Sequence, residues 1–449
     1  MILALLVPAF AATVNVAPGE DWCGAANAAA PGDEVLLAEG DYAGPCTLSV
    51  GGEEGAPITV RGAVRHELPR IVYTGTSSNV IDVTASWVTV QGLAFGPTEA
   101  DIDAIKVKSG DHVSIVDNTF TGVGGIGVSA NSVDTVGLTI EGNTFQDMNA
   151  TALYLGCHEG AGSCVAKDVV VRGNLIDGVV SSAVGYGLEL KKDSWGLIAD
   201  NVVVDTQGPG IEVFGGEDDA YRVTVQGNLV ARSVNNGSIE VGGPNVRVVN
   251  NVVVGGGDGA IYVYAYWDAV HDVVVAGNTL VDEGSGGLRV SAEATDVRVL
   301  DNAGYSPSGA PFSLGAAAAD ANVTCATPAE CWVDAASWDF GAVADGPLVG
   351  AGVGEVTLSD DFCGIHRAEP PTVGALEADS QPGPLGVALK ATFACAAPGA
   401  DVDDGPYWPD EGEDGEARGC LGCASGPPTA ANLGLALLGA AGLLARRRR

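Results

Sequence analysis

Eight asparagines, Asn118, Asn143, Asn174, Asn201, Asn228, Asn251, Asn278 and Asn302, recur at intervals of 25, 31, 27, 27, 23, 27 and 24 residues. Six of them lie in alternating apolar stretches, each beside another small or polar residue: VSIVDNTF, LTIEGNTF, VVVRGNLI, VTVQGNLV, VRVVNNVV and VVVAGNTL. Each stretch reads as a strand, a bend and a second short strand. An amide that returns to one place in every coil can donate to the next coil and accept from the previous one, and a buried amide is tolerated only when it is bonded in this way. Asparagine is also a common turn residue, but turn preference alone does not hold one register through eight repeats. The period predicts one elongated solenoid in which each coil buries its apolar face only against its neighbours.

A second strand precedes each asparagine-marked one. The series runs Ala104-Ile-Lys-Val-Lys108, Gly125-Ile-Gly-Val-Ser129, Ala152-Leu-Tyr-Leu-Gly156, Gly187-Leu-Glu-Leu-Lys191, Gly210-Ile-Glu-Val-Phe214, Ser238-Ile-Glu-Val-Gly242, Ala260-Ile-Tyr-Val-Tyr264 and Gly287-Leu-Arg-Val-Ser291. Period two sends the aliphatic residues inward and the others outward, so these segments predict one long sheet. Its expected outward columns are Lys106, Gly127, Tyr154, Glu189, Glu212, Glu240, Tyr262, Arg289 and, alongside, Lys108, Ser129, Gly156, Lys191, Phe214, Gly242, Tyr264, Ser291.

Glu189, Glu212 and Glu240 are thus expected about 5 Å apart. Carboxylates so placed repel unless a cation, a base or a proton intervenes, and a Ca²⁺ taking several oxygens would satisfy them. Lys191 is either a paired ammonium or a proton-abstracting base. Tyr154, Tyr262, Tyr264, Tyr266 and Trp267 add flat surface suited to sugar rings. His158 sits in a short loop flanked by Cys157 and Cys164, and Arg289 extends the charged column. Each element also has a structural reading: the glutamates with Lys191 form a solvated ion-pair ladder, and the tyrosines are good strand formers. Gly-Val-Gly-Gly-Ile-Gly near residue 125 reads as packing, and the chain carries no P-loop, dinucleotide fingerprint, His-rich metal motif or nucleophile elbow.

The coil pattern resembles the right-handed parallel β-helix of pectin-lyase-like proteins, an all-β solenoid. PGDEVLLAEGDYAGPCTLSVGGEEGAPITVRG is similar to the first coils of polysaccharide lyases, and DFCGIHRAEPPTVGALEA to a closing segment of such helices. The stretch Glu189-Leu-Lys-Lys-Asp-Ser-Trp195, with Gly210-Ile-Glu212, is loosely similar to the alginate lyase and chondroitinase B family. That resemblance implies Glu189 as a Ca²⁺ ligand, with Lys191 (or Lys192) as the base that removes the C5 proton; the column itself adds Glu212 and Glu240 to the expected ligands. The resemblance also implies β-elimination on a uronate-containing polysaccharide; the face itself offers Tyr154, His158, Glu240, Tyr262, Tyr264 and Arg289 as the expected substrate contacts. The position expected for the assisting arginine is Phe214. The competing class is a non-catalytic, adhesin-like surface protein that binds glycan.

A formal net charge of −36 argues against nucleic acid or an anionic membrane surface as a partner. Ten cysteines fit an exported, oxidising setting. Cys157 with Cys164, Cys325 with Cys331, and Cys23 with Cys46 are near enough to pair, which leaves Cys363 with Cys395, although spacing alone does not fix connectivity. Residues 1–12 read as a signal peptide lacking its basic start, 13–57 as an N-terminal cap with the first strands, and 58–305 as the parallel β-helix of a monomer. Residues 306–400 read as an irregular C-terminal cap and 401–419 as an acidic disordered linker. Residues 420–449 join Gly-Cys-Leu-Gly-Cys, an apolar run and a cluster of arginines. This tail resembles the myxobacterial C-terminal sorting signal; read as an ordinary membrane anchor, it places the protein at the cell surface just the same.

Overall fold

A computed structural model describes residues 11–181, 185–218, 222–281, 286–354, 359–393 and 395. Both ends of the chain named above, the leader to residue 10 and the linker and tail from 401, lie outside the described residues.

Three parallel sheets of 13, 11 and 12 strands wind together as the faces of one solenoid. The first sheet runs from Thr13–Val16 to Ala318–Asp320, the second from Cys46–Leu48 to Phe312–Ser313, and the third from Asp41–Ala43 to Val323–Thr324. The short helix Trp22–Ala28 is N-capped by the Asp21 carboxylate, which accepts from Gly24 N–H. It packs beside the first strands and buries Trp22 and Ala26.

The asparagines stack as expected. Asn201 Nδ2 donates to Asn228 Oδ1 at 2.9 Å and to the Val171 carbonyl at 3.0 Å, and Asn201 Oδ1 accepts from the Asn174 backbone and side chain. The same bonds link Asn118 through Asn302, and Asn322 adds a ninth rung. The residue before each of the eight predicted asparagines has a positive φ: Asp117, Gly142, Gly173, Asp200, Gly227, Asn250, Gly277 and Asp301. Only Gly, Asn and Asp visit that conformation readily, which is why the local sequence reads DN, GN or NN. Two residues after each of the first two asparagines comes Phe120 or Phe145; with Phe95 they stack inside the coil at centroid distances of 5.0 and 4.5 Å. By register the column continues as Ile176, Val203, Val230, Val253 and Leu280.

Two expectations are corrected. In the second sheet Lys106 pairs with Ser129, which in turn pairs with Tyr154, so Ser129 and not Gly127 occupies that column. The strand is Val128–Ala130, two residues later than alternation suggested. The cause is Ser129 Oγ, which bonds Asp103 at 2.7 Å and is fully buried. The helix also runs past residue 305 to Thr324, because Asn322 supplies another rung for all three sheets. Beyond it, the chain from Cys325 lies along the outer face of the third sheet. There Trp332, Phe340, Phe362 and Phe393 cover the outward residues Val202, Val204, Val252 and Val254. Four disulfides join Cys23–Cys46, Cys157–Cys164, Cys325–Cys331 and Cys363–Cys395, as suits an extracellular setting.

Asn201→Ala strips acceptor and donor from two neighbouring coils at once. It is expected to cost about 3 kcal/mol, since each orphaned buried group costs ~1–3 kcal/mol. Asn322→Ala, at the part-buried last rung, is expected to cost less than half as much; urea unfolding of the two variants checks the difference.

Candidate functional site

The second sheet places Tyr154, Glu189, Glu212, Glu240, Tyr262 and Arg289 in one column, each paired in register with the next. Sequence reasoning put this column in solvent, and here the structure differs. Glu189, Glu212 and Glu240 are 2, 3 and 2 % exposed and Lys191 is 3 % exposed. The cover is a strap of residues 264–268, which leaves the strand Gly259–Val263 and folds back over earlier coils. Tyr266 packs against Phe214 at 5.5 Å, Trp267 meets His158 edge-on at 4.6 Å, and Asp268 pairs with Lys192 at 2.8 Å. His158 is therefore a packing partner of the strap, on the loop that the Cys157–Cys164 disulfide closes.

Under the strap the charges are mutually committed. Lys191 Nζ bonds Glu189 Oε1 and lies between the rings of Tyr154 and Phe214, 4.9 and 5.1 Å from their centroids. The Tyr264 hydroxyl is 2.9 Å from Glu240 Oε2 and 3.2 Å from Glu212 Oε1. A phenol has one hydrogen. If the shorter contact to Glu240 takes it, the contact to Glu212 needs a hydrogen from the carboxyl itself. Burial, then the neighbouring charges of Glu189 and Glu240, push the Glu212 carboxyl up to about 8. Glu212 is thus protonated at neutral pH. Burial also raises Glu189, against the pull of Lys191, and raises Glu240, against the Gly237 N–H and Tyr264. Tyr264 is held well above the ordinary phenol range by burial and by the carboxylates of Glu212 and Glu240.

Glu189 Oε2 and Glu212 Oε2 are buried without a hydrogen-bond partner. They do not make a calcium site: Ca²⁺ takes about six to eight oxygens, and both oxygens of Glu240 are already bonded, to Gly237 N–H and Tyr264. Among the described residues no group of three or more His, Cys, Asp or Glu is arranged to hold a metal. The ammonium of Lys191 and the proton of Glu212 supply what a cation would have supplied.

Beside the strap opens a groove of about 500 Å³, lined by Tyr186, Gln207, Glu212, Asn236, Asp258, Tyr264 and others. Four of these, Tyr186, Gln207, Asn236 and Asp258, were absent from the sequence reading. They sit in turns, yet a signal existed. Tyr186-Gly187, Pro209-Gly210, Asn236-Gly237 and Asp258-Gly259 repeat a glycine at the mouth of successive strands. A Cβ on Gly187 would lie 2.4 Å from the Gly210 carbonyl oxygen, so the glycine is a packing requirement and its predecessor is what faces the groove. Tyr262 stacks on Tyr264 at 4.6 Å, and the Arg289 guanidinium sits 4.9 Å over Tyr262. Tyr266, which also lines the groove, and Trp267, 5.1 Å from it, remain 54 and 41 % exposed and continue the aromatic surface outward.

The model for the right-handed β-helix region matches residues 71–264 and 166–324, together more than half of the chain. The chain belongs to the right-handed β-helix family. No curated protein matches it significantly. Among solved structures, it is similar to the pectate lyase Pel9A at 16 % identity and TM-score 0.46, over 82 % of this chain and 96 % of that one. An alginate lyase from Paenibacillus sp. str. FPU-7 shares 18 % identity at TM-score 0.49, over 64 % of this chain and 99 % of the other. A mannuronic-acid-specific family 6 polysaccharide lyase from human gut microbiota shares 12 % at 0.45, over 70 and 82 %. At such identities the likeness is one of coil architecture.

The proton on Glu212 makes stability depend on pH. Between pH 4.5, the ordinary value, and about 8, the unfolded chain has released this proton and the folded chain keeps it, so stability falls as pH rises through that window. Glu212→Gln keeps a neutral donor at every pH. The variant is expected to be more stable than the parent by on the order of a few kcal/mol above pH 8, with the difference shrinking toward pH 4.5. Thermal midpoints across that range measure it.

Proposed function

We propose that the protein is an exported, surface-displayed β-helix that binds a polysaccharide in the groove between Tyr186 and the strap. One observation carries this reading: a cavity of glycan-subsite size with amide, carboxyl and phenol groups along one wall, adjoining the exposed rings of Tyr266 and Trp267. Apolar ring faces stack on sugar C–H faces while convergent polar groups fix the hydroxyls. The four disulfides suit export, and the sorting-signal reading of the tail supplies surface display.

Of the two functions expected from sequence, the geometry favours binding over β-elimination. A general base must reach the proton it removes. Lys191 does not line the groove; it is buried, paired with Glu189 and walled in by Tyr154 and Phe214. Elimination would also call on a cation that the glutamate column does not fit.

Affinity electrophoresis of the protein on a panel of neutral, anionic and cationic glycans tests the reading. Binding is expected to persist in chelator, and Tyr266→Ala is expected to weaken it about tenfold, the effect of losing ~1 kcal/mol or a little more of aromatic contact. Unsaturated product ends that disappear in Lys191→Ala would replace this reading with the lyase.

A further inference from the structure

The groove has a sign of charge, and it is the wrong sign for a uronate. Glu212 and Asp258 both contribute to its wall, and none of the described residues lining it is a lysine, arginine or histidine. The nearest cations are engaged elsewhere. Lys191 is bound to Glu189, and Arg289 stacks on Tyr262 while donating to the Asp258 carbonyl at 3.1 Å. Behind Glu212 stand Glu189 and Glu240, and the chain as a whole carries a formal charge of −36. A polyanion entering here would meet like charge from wall and protein alike.

Glu212 adds a second, independent pointer. It is 97 % buried by the complement of its 3 % exposure, it lines the groove, and its Oε2 has no partner. A buried carboxyl oxygen without a donor is a costly feature unless something supplies one. Lys191 compensates the charge of Glu189 through Oε1, although Glu189 Oε2 is also unpartnered, and Gly237 N–H and Tyr264 bond both oxygens of Glu240. Glu212, between them, is the carboxyl whose compensation is left to a proton or to an incoming group. The ring of Tyr264 and the partly buried ring of Tyr186 flank it on the groove wall, and an aromatic face attracts an ammonium as a carboxylate does. The amides of Gln207 and Asn235 also line the groove and suit neutral hydroxyls, while the Asn236 side chain is bonded to Glu240.

From this juxtaposition of carboxyls, phenols and amides, we infer that the groove selects amino sugars: a glycan whose pyranose rings carry a free ammonium directed at Glu212 and Asp258. The inference rests on the glycan-binding reading above and sharpens it. The arriving ammonium compensates the ionised form of Glu212, so binding is coupled to loss of its proton to solvent. The raised affinity of Glu212 for that proton, sustained by burial and by Glu189 and Glu240 against Lys191 and Tyr264, makes the release measurable near neutral pH.

The test is isothermal titration calorimetry of the full chain with three short oligomers of equal length: fully deacetylated glucosamine, N-acetylglucosamine and mannuronate. The deacetylated oligomer is expected to bind about tenfold more tightly than the acetylated one (~1.4 kcal/mol), with mannuronate weakest. Titration in buffers of different ionisation enthalpy should show net proton release with the deacetylated oligomer alone. Because an acidic protein attracts any polycation, Asp258→Asn is the decisive variant. It should lose about fivefold of the amino-sugar preference, read as the ratio of its affinities for the deacetylated and acetylated oligomers. An undiminished preference would assign the effect to bulk charge and overturn the inference. Equal binding of the acetylated oligomer, or tighter binding of mannuronate, would overturn it while leaving the glycan reading in place. Binding of none of the three would remove both.

Discussion

The hydrogen-bonded asparagine column is the constraint on which the other features depend. Each rung ties one coil's bend to the next through side-chain and backbone donors, and each predicted rung needs a left-handed residue immediately before it. Together they leave little freedom in where a strand begins after the bend. Once the bends superpose, the second sheet inherits its register, and Glu189, Glu212 and Glu240 fall opposite one another without any attraction between them. The acid column is thus imposed by a ladder on a different side of the coil. Its repulsion has to be managed locally by Lys191, Tyr264 and a proton.

That local management shows how a solenoid tolerates buried charge. A sheet face normally leaves such side chains in water, where a carboxylate column costs little. Here the strap removes the water, and burial becomes the largest influence on all three glutamates. An isolated ion in that position would be prohibitive. The arrangement survives because the column is not uniformly charged: Glu189 is paired, Glu240 is bonded on both oxygens, and Glu212 is neutral.

Much of the fold was legible because it repeats. The asparagine period, the apolar alternation and the disulfide spacings all follow from contacts between neighbouring coils, and such contacts leave a period in the sequence. Asn322 escaped because it follows Asn302 by 20 residues without the apolar grammar around it. Placing Gly127 in the column failed because Ser129, two residues later, takes that outward position and bonds Asp103. The C-terminal segment was harder, yet a trace was present: Val202–Val204 and Val252–Val254 are apolar at every position, the mark of a strand covered on both faces. The burial of the glutamates was not legible at all. It depends on Trp267 and Asp268 reaching His158 and Lys192, more than 70 residues earlier, and nothing periodic announces such a contact.

The strap also bears on the two functions expected from sequence. By folding over Glu189 and Lys191 and pairing Asp268 with Lys192 it engages both lysines expected as a base, and the same turn of chain presents Tyr264 and Tyr266 as a wall of the groove. The two outcomes are linked by Tyr264, whose hydroxyl is pinned between Glu212 and Glu240 while its ring faces Tyr262. A chain that kept the coil and the glutamates but lacked the strap would expose an acid column with the Lys191–Glu189 pair in it. With the strap, the acid column is buried and the turn that covers it forms part of the groove wall.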